Sequence, residues 1–376
     1  MLNLRSLCLL ICSFFFVVQD AATQTNLSSP VRLVVAGLTH GHNVFILNRK
    51  HKNDFVLSGI YDQNKELAIS LSKKFGFSTD LIYDDLGKML DEVKPGAVVA
   101  FGSVYDHLAV VEAAAPRGIH VMVEKPLATT VEQAERMQYL ARKHNIKLLT
   151  NYETSWYPSI AKTFSLINEK NYAGEIKKVF VNAGHQGPKE IGCDSYFLEW
   201  LTDPVKNGGG ALFDFGCYGA NLITALMKNQ KPLSVTAVTR QFKPHIYPLV
   251  DDDATIIVSY PDVDCIIKAS WNWTFNRKDI EVYGNKGYII ASDNKTLRIK
   301  NSRNTPEEQI KVLAAETDVY EDPFSYFYDV IMGVLKPAPY SLYALENNVL
   351  VVKILEAARE SAKTKKTVFF KITPSD

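Results

Sequence analysis

Val121-Met122-Val123-Glu124-Lys125-Pro126 runs an apolar strand straight into an acid, a base and a proline, and a helix-like stretch, Leu127 to Glu135, follows it. A strand apolar at every position is covered on both faces, as in a parallel sheet wrapped by helices. Open sheets of that kind bind ligands outside the carboxyl ends of their strands, and Pro126 stops this strand at that edge. Lys125 is therefore a candidate for chemistry. The competing reading is a plain ion pair between Lys125 and Glu124.

On both sides of this stretch the same alternation recurs. Strands at Val31–Gly37, Phe55–Asp62, Ala97–Phe101 and Ile146–Thr150 are interleaved with helical stretches at Gly41–Lys50, Asn64–Phe75, Asp85–Glu92, Tyr105–Arg117 and Val131–His144. The pattern predicts a Rossmann-type, doubly wound parallel sheet over residues 24–150. After Asn151 it changes. Strands at Ile176–Ala183, Leu233–Gln241, Ala254–Tyr260, Asp264–Trp273, Lys278–Tyr283 and Gly287–Ser292 follow one another, and many alternate polar with apolar residues. This predicts a largely antiparallel open sheet in an α+β domain over residues 151–376, with a last helix at Ala344–Ala362.

Residues 1–23 stand apart: a positive lead ending at Arg5, an apolar run from Leu7 to Val18, then the small residues Ala21-Ala22-Thr23. They read as a secretory signal peptide, because the run is short for a membrane span. The expectation is an exported protein, periplasmic or secreted, with no membrane partner once the leader is removed. The 376 residues carry a formal net charge of +1 and no basic stripe, which argues against nucleic acid and leaves a small molecule as partner. Of the cysteines, Cys8 and Cys12 fall in the leader; Cys193, Cys217 and Cys265 lack zinc-like spacing and read as ordinary thiols.

The first strand ends in Gly37-Leu38-Thr39-His40-Gly41-His42. In a G-x-G-x-x-G fingerprint the glycines let the backbone approach a pyrophosphate at a helix N-terminus. Only Gly37 is in register here; Thr39 and His42 hold the other two positions, and Gly41 keeps the turn flexible. Asp62 ends the second strand where a ribose-binding carboxylate belongs, which favours NAD over NADP; a helix cap or turn residue is the alternative. His40 and His42 also form an H-x-H pair of the kind that opens some metal sites. No run of histidines at later strand ends completes such a site, so no metal is expected.

A second dense signal is Gly208-Gly209-Gly210-Ala211-Leu212-Phe213-Asp214-Phe215-Gly216-Cys217-Tyr218. Asp214 and Tyr218, four apart, are expected on one face of a helix. Oxidising a secondary alcohol needs a hydride acceptor and a base for the hydroxyl proton. A tyrosine serves if a nearby cation lowers its pKa from about 10, and Lys125 is the expected cation. Taken separately, Tyr218 reads as a surface tyrosine and Asp214 as a cap.

Together, the Rossmann pattern, Glu124-Lys125-Pro126, the glycine-led Asp214 and Tyr218 segment and the antiparallel second half resemble the Gfo/Idh/MocA family of NAD(P)-dependent sugar oxidoreductases. The resemblance implies that Lys125 contacts nicotinamide and substrate, that Tyr218 takes the acid/base position as in the glucose–fructose oxidoreductase-like branch, and that Asp214 orients substrate or Tyr218. It places Ser103, His107 and Glu124 with Gly37, Thr39, His40, Gly41, His42 and Asp62 around the cofactor. It also implies a homodimer or homotetramer built through the C-terminal sheet. Export adds a further expectation, since NAD is scarce outside the cytoplasm: the cofactor is held tightly and recycled in place.

Asn151-Tyr152-Glu153-Thr154-Ser155-Trp156-Tyr157 leaves the last Rossmann strand with aromatic rings to stack on a sugar and polar groups to bind its hydroxyls. Tyr152, Glu153, Trp156 and Tyr157, with His185 farther on, are the expected substrate residues; a linker packing its aromatics into the domain interface is the other reading. Trp271 and Trp273 are assigned to packing. Two other functions remain open from these residues: a glycosidase that oxidises its sugar transiently with NAD, and a non-catalytic sugar- or nucleotide-binding protein.

Overall fold

The computed structural model describes residues 30–50, 52–320 and 322–371, so the leader lies outside the described residues. Six strands, β1 (Val31–Ala36), β2 (Phe55–Tyr61), β3 (Ile82–Tyr83), β4 (Ala97–Ala100), β5 (His120–Glu124) and β6 (Leu148–Asn151), form a parallel sheet in the order β3-β2-β1-β4-β5-β6. The order reverses between β1 and β4, which opens a crevice at their carboxyl ends. Between the strands run α1 (Asn43–Leu47), α2 (Lys65–Phe75), α3 (Leu86–Val93), α4 (His107–Ala114) and α5 (Val131–Lys143). Their starts are locally encoded: Asn64 accepts from the Leu67 amide to open α2, and Thr130 accepts from the Gln133 amide to open α5. As the apolar runs predict, β4 is buried at every position and β5 at all but its first.

The second half contributes α6 (Pro158–Asn168), β7 (Ile176–Gly184), α7 (Ser195–Leu201), α8 (Ala211–Asp214) and α9 (Gly216–Leu226). Then follow β8 (Ser234–Arg240), β9 (Asp253–Ser259), β10 (Asp264–Ser270), β11 (Arg277–Gly284), β12 (Tyr288–Ala291), β13 (Thr296–Lys300) and β14 (Glu308–Lys311). The last elements are α10 (Pro323–Ile331), α11 (Leu345–Thr364) and β15 (Val368–Phe369). The nine strands form one sheet, β14-β13-β12-β11-β7-β10-β9-β8-β15, antiparallel except where β10 pairs with β7. Its strands alternate: Val235, Ile256, Val258, Ile267 and Val282 are buried on the face that carries α9, while Val238 and Ile257 are exposed on the other.

The two halves are not simply consecutive. Phe324, Phe327 and Val330 of α10 complete the apolar layer on one face of the Rossmann sheet, and Leu345, Val349 and Val352 of α11 join the layer on the other. The chain thus returns after residue 322 to bury surface that the first half cannot cover alone. Among the described residues no helix is long and apolar enough to cross a membrane.

Candidate active site

Glu124 and Lys125 point to opposite sides of the strand end. Lys125, joined to Pro126 by a cis peptide, crosses to the second half, where its ammonium donates to the Asp214 carboxylate and, at 3.1 Å, to the Asp214 carbonyl. The other Asp214 carboxylate oxygen accepts from the Trp271 indole at 2.9 Å. All three residues are buried. Burial opposes both charges and the pairing overrides it: Asp214 is held below the usual carboxyl range and Lys125 above the usual amine. The simple Lys125 to Glu124 ion pair is thereby excluded, and so is Asp214 as a helix cap.

Glu124 serves a different network. Its carboxylate accepts from Asn151 at 2.8 Å and from His42 at 3.2 Å, and although burial pushes it up, His42 above all holds it down at about 2. His42 therefore replaces the third fingerprint glycine with a tie between the first loop and β5. One ligand atom from each of His40, His42 and Glu124 lies within 4.8 Å of the other two, the spread of a metal site. His40 Nδ1 accepts from the His42 amide at 3.1 Å and His42 is bonded to Glu124, while His40 Nε2 is buried without a hydrogen-bond partner among the described residues.

Two expectations about Asp214 and Tyr218 need correction. The helix breaks at Phe215, so the two residues belong to α8 and α9 rather than one helical face, and Asp214 bonds Lys125 and Trp271, not Tyr218. Lys125 lies over the Tyr218 ring, 5.3 Å from its centroid, with its charge answered by Asp214. Burial first, and the Glu153 carboxylate next, raise Tyr218 well above the ordinary tyrosine value instead of lowering it. Tyr218 is a neutral phenol at physiological pH. The triple glycine serves packing: a Cβ on Gly210 would lie 1.8 Å from the Asp251 carbonyl oxygen.

A cleft of about 240 Å³ opens at the β1/β4 crevice, lined by Gly37, Thr39, Asp62, Gly102 and His107 among others. Gly37 has φ +83°, and a Cβ there would lie 2.6 Å from the Gly102 amide nitrogen, so this fingerprint glycine is required. Gly41 has open space around it and is exposed, so the turn does not depend on it. Asp62 accepts from the Leu38 and Asn64 amides, both at 2.7 Å, while burial pushes its carboxyl up. It is a turn residue and a cleft wall at once. His107 donates through Nδ1 to the Leu127 carbonyl, leaving Nε2 a buried acceptor without a partner among the described residues. An unused acceptor beside a carboxylate at a glycine-lined strand end fits the amide and ribose hydroxyls of a dinucleotide, which makes Gly37, Thr39, Asp62 and His107 the candidates to hold NAD.

Ser103 and His40 stand elsewhere than expected. The Ser103 hydroxyl donates to Asp106 at 2.6 Å, off the cleft wall. His40 is buried against Phe197 and Trp200 of α7, with ring centroids 5.0 and 5.7 Å away.

On the substrate side a second cleft of about 240 Å³ is lined by Glu153, Tyr157, His185, Arg277, Lys278 and Asn294 among others. Tyr157 and Lys278 both donate to the Glu153 carboxylate. His185 Nδ1 accepts from the Gly187 amide at 2.9 Å, which leaves its Nε2 proton as a donor. Tyr152 and Trp156 do not line this cleft. Tyr152 is fully buried, edge-on to Tyr218 at 5.5 Å, and Trp156 packs on Phe45 at 5.4 Å. Sequence reasoning missed Trp271 as the second hold on Asp214, and Lys278 and Arg277 altogether. A buried indole demands an acceptor, which was a signal for Trp271; Lys278 owes its place to strand register, opposite Ala183 on β7, and carries no local signal.

Residues 31–152 match the model of the oxidoreductase family with an NAD-binding Rossmann fold, and residues 166–290 match the GFO/IDH/MocA C-terminal domain. The chain is 26% identical over 271 residues to a D-xylose 1-dehydrogenase [NADP(+)] of Haloarcula marismortui, covering 70% of this chain and 71% of that one. It is 30% identical over 193 residues to a trans-1,2-dihydrobenzene-1,2-diol dehydrogenase of Xenopus laevis, spanning 51% of this chain and about half, 54%, of the relative. Its fold matches aldose-aldose oxidoreductase from Caulobacter crescentus complexed with glycerol (TM-score 0.75, 19% identity, 91% and 100% of the two chains). It also matches an inositol dehydrogenase homologue from Azotobacter vinelandii complexed with NAD+ (TM-score 0.76, 17% identity, 92% and 98%). Both halves of the fold and both halves of the site are thus accounted for by a single lineage: the chain belongs to the Gfo/Idh/MocA family of oxidoreductases.

Proposed function

We propose that this protein is an exported enzyme that moves a hydride between a hydroxyl of a sugar or glycoside and a tightly held NAD. The observation that carries the reading is the Lys125 to Asp214 clamp beside the neutral Tyr218 phenol, over whose ring Lys278 of the polar cleft of Glu153 and His185 also lies. NAD, when bound, supplies the hydride acceptor. The chain's own residues handle the oxygen: Lys125 polarises it, and Tyr218 exchanges the proton with it, donating as the neutral phenol when a carbonyl is reduced and accepting as the phenolate when an alcohol is oxidised. Asp214 and Trp271 fix Lys125 so that its charge is aimed before substrate arrives. Hydroxyl-rich substrates suit the second cleft, where Lys278 and Glu153 are paired with each other and the His185 and Asn294 side chains offer hydrogen bonds. Xylose and glucoside dehydrogenases among the relatives support the same substrate class. The exposed Val238 and Ile257 face of the large sheet supports a homodimer or homotetramer.

The test uses Lys125→Ala and Tyr218→Phe proteins with folded circular-dichroism spectra, incubated with NAD and a panel of aldoses, polyols and aryl glycosides. NADH absorbance should rise with the parent and fall by at least about a hundredfold in each variant. Parental turnover in either variant refutes the assignment, and aglycone release without NADH redirects it to the glycosidase. Mass spectrometry of the denatured, exported protein should find co-purified NAD.

A further inference from the structure

Two lysines stand over Tyr218, and they are not equivalent. Lys125 Nζ lies 5.3 Å from the ring centroid and Lys278 Nζ 5.2 Å. The first is sealed, with its side chain and that of its partner Asp214 only 8% and 5% exposed. The second arrives from β11 and is paired with Glu153, the two side chains 21% and 30% exposed and both lining the substrate cleft. Glu153 is also the acceptor for the Tyr157 hydroxyl. The remaining ionisable groups acting on Tyr218 are Glu124, Asp214 and Cys217, with Tyr152 edge-on to the ring. The Lys125 pair and Glu124 are committed to fixed buried partners, which leaves Lys278 and Glu153 as the charges near Tyr218 that face the cleft.

We propose that Lys278 and Glu153 are positioning residues that set, with opposite signs, how firmly the Tyr218 hydroxyl holds its proton, and that substrate seated in the cleft acts on Tyr218 by loosening this pair. The chemistry is a balance of two charges on one phenol. Glu153 disfavours the phenolate, and after burial it is the largest influence keeping Tyr218 protonated. Lys278 favours the phenolate but is neutralised while Glu153 grips it. A sugar hydroxyl that donates to Glu153 draws charge from the carboxylate and frees Lys278, so Tyr218 accepts a proton most readily when the cleft is filled. Oxidation would start from the Tyr218 phenolate, the phenol having first released its proton to water in the cleft; the phenolate oxygen would then take the O–H proton, while bound NAD would supply the acceptor for the hydride that leaves carbon as the carbonyl forms. Reduction runs the same exchange backwards.

This inference rests on Tyr218 being the proton-exchanging group, and the experiment separates the two claims. Protein labelled with ¹³Cζ-tyrosine is titrated by NMR in its NAD-loaded form, with the Tyr218 signal assigned by its loss in Tyr218→Phe. Kinetic pH profiles are taken on D-xylose and methyl glucoside as probes. Removing the negative charge in Glu153→Gln should bring Tyr218 ionisation, and the acid limb of the kcat/KM profile for oxidation, down by about one pH unit; removing the positive charge in Lys278→Met should move both up by a similar amount. Lys278→Arg, which keeps the charge, should leave the limb in place. A merely structural role would lower rates without opposite displacements. Shifts in the same direction, or none in the NMR titration, overturn the inference. Should Tyr218→Phe turn over at the parental rate, the catalytic reading fails, while the NMR titration still decides whether the pair governs Tyr218.

Discussion

Glu124→Gln removes a buried charge while keeping the volume of the side chain, and its consequence is a function of pH. In the folded protein Glu124 sits at about 2 against an ordinary 4.5, because burial, which raises it, is overcome by His42 and the Asn151 amide. A carboxyl depressed on folding adds stability above its unfolded pKa and loses it as pH falls toward the folded value. The separation corresponds to about 3 kcal/mol at pH 7, and to about 2 kcal/mol at pH 3.5, where the unfolded chain has already taken up the proton. Glutamine still accepts from Asn151 but offers His42 no charge. Urea unfolding followed by tryptophan fluorescence should place Glu124→Gln about 2 to 3 kcal/mol below the parent at pH 7, with the gap narrowed by about 1 kcal/mol at pH 3.5. A gap of equal size at both pH values, or none at pH 7, refutes the reasoning, since the ionisation would then contribute nothing specific.

Trp271→Phe deletes the indole donor to Asp214 while nearly conserving volume, and should cost about 1.5 to 3 kcal/mol in urea unfolding together with a fall in kcat, because a hydrogen bond to a buried charge is lost. Gly37→Ala places a methyl 2.6 Å from the Gly102 nitrogen at a left-handed backbone position; calorimetric titration should show NAD affinity reduced and thermal unfolding lowered by more than about 1 kcal/mol. Asp62→Asn removes the charge that opposes a 2′-phosphate, and the ratio of NADP to NAD dissociation constants should shift toward NADP by about tenfold.

The first half of the fold is legible because its signals are local. Strands such as Ala97–Ala100 are apolar throughout, and Asn64 and Thr130 mark where helices begin. Two strands beyond Ser292 escape the reading: Glu308–Lys311, at one edge of the large sheet, has almost wholly solvated side chains, and Thr296–Lys300 beside it alternates over only five residues, with just Leu297 and Ile299 buried. The site divides the same way. Lys125, Asp214 and Tyr218 each end or open an element and carry a motif. Their partnerships do not: that Lys125 meets Asp214 and not Glu124 follows from the opposite projection of neighbouring residues at a strand end, and that Asp214 serves Lys125 and not Tyr218 follows from the break at Phe215.

That break also explains how a buried lysine remains a usable charge. A continuous helix would carry Asp214 and Tyr218 on one face and leave Lys125 to be neutralised by its neighbour in sequence. With α8 ending at Asp214, the carboxylate turns to Lys125 and Trp271 while α9, buried along its whole length, brings Tyr218 beneath the ammonium. Lys125 comes from the Rossmann sheet, Asp214 and Tyr218 from consecutive helices, Trp271 from the end of β10 and Lys278 from β11. Neither half of the chain holds the arrangement alone. The return of α10 and α11 onto the first sheet fixes the two halves against each other, so the packing that buries Phe327 and Val352 is also what keeps the ammonium over the phenol.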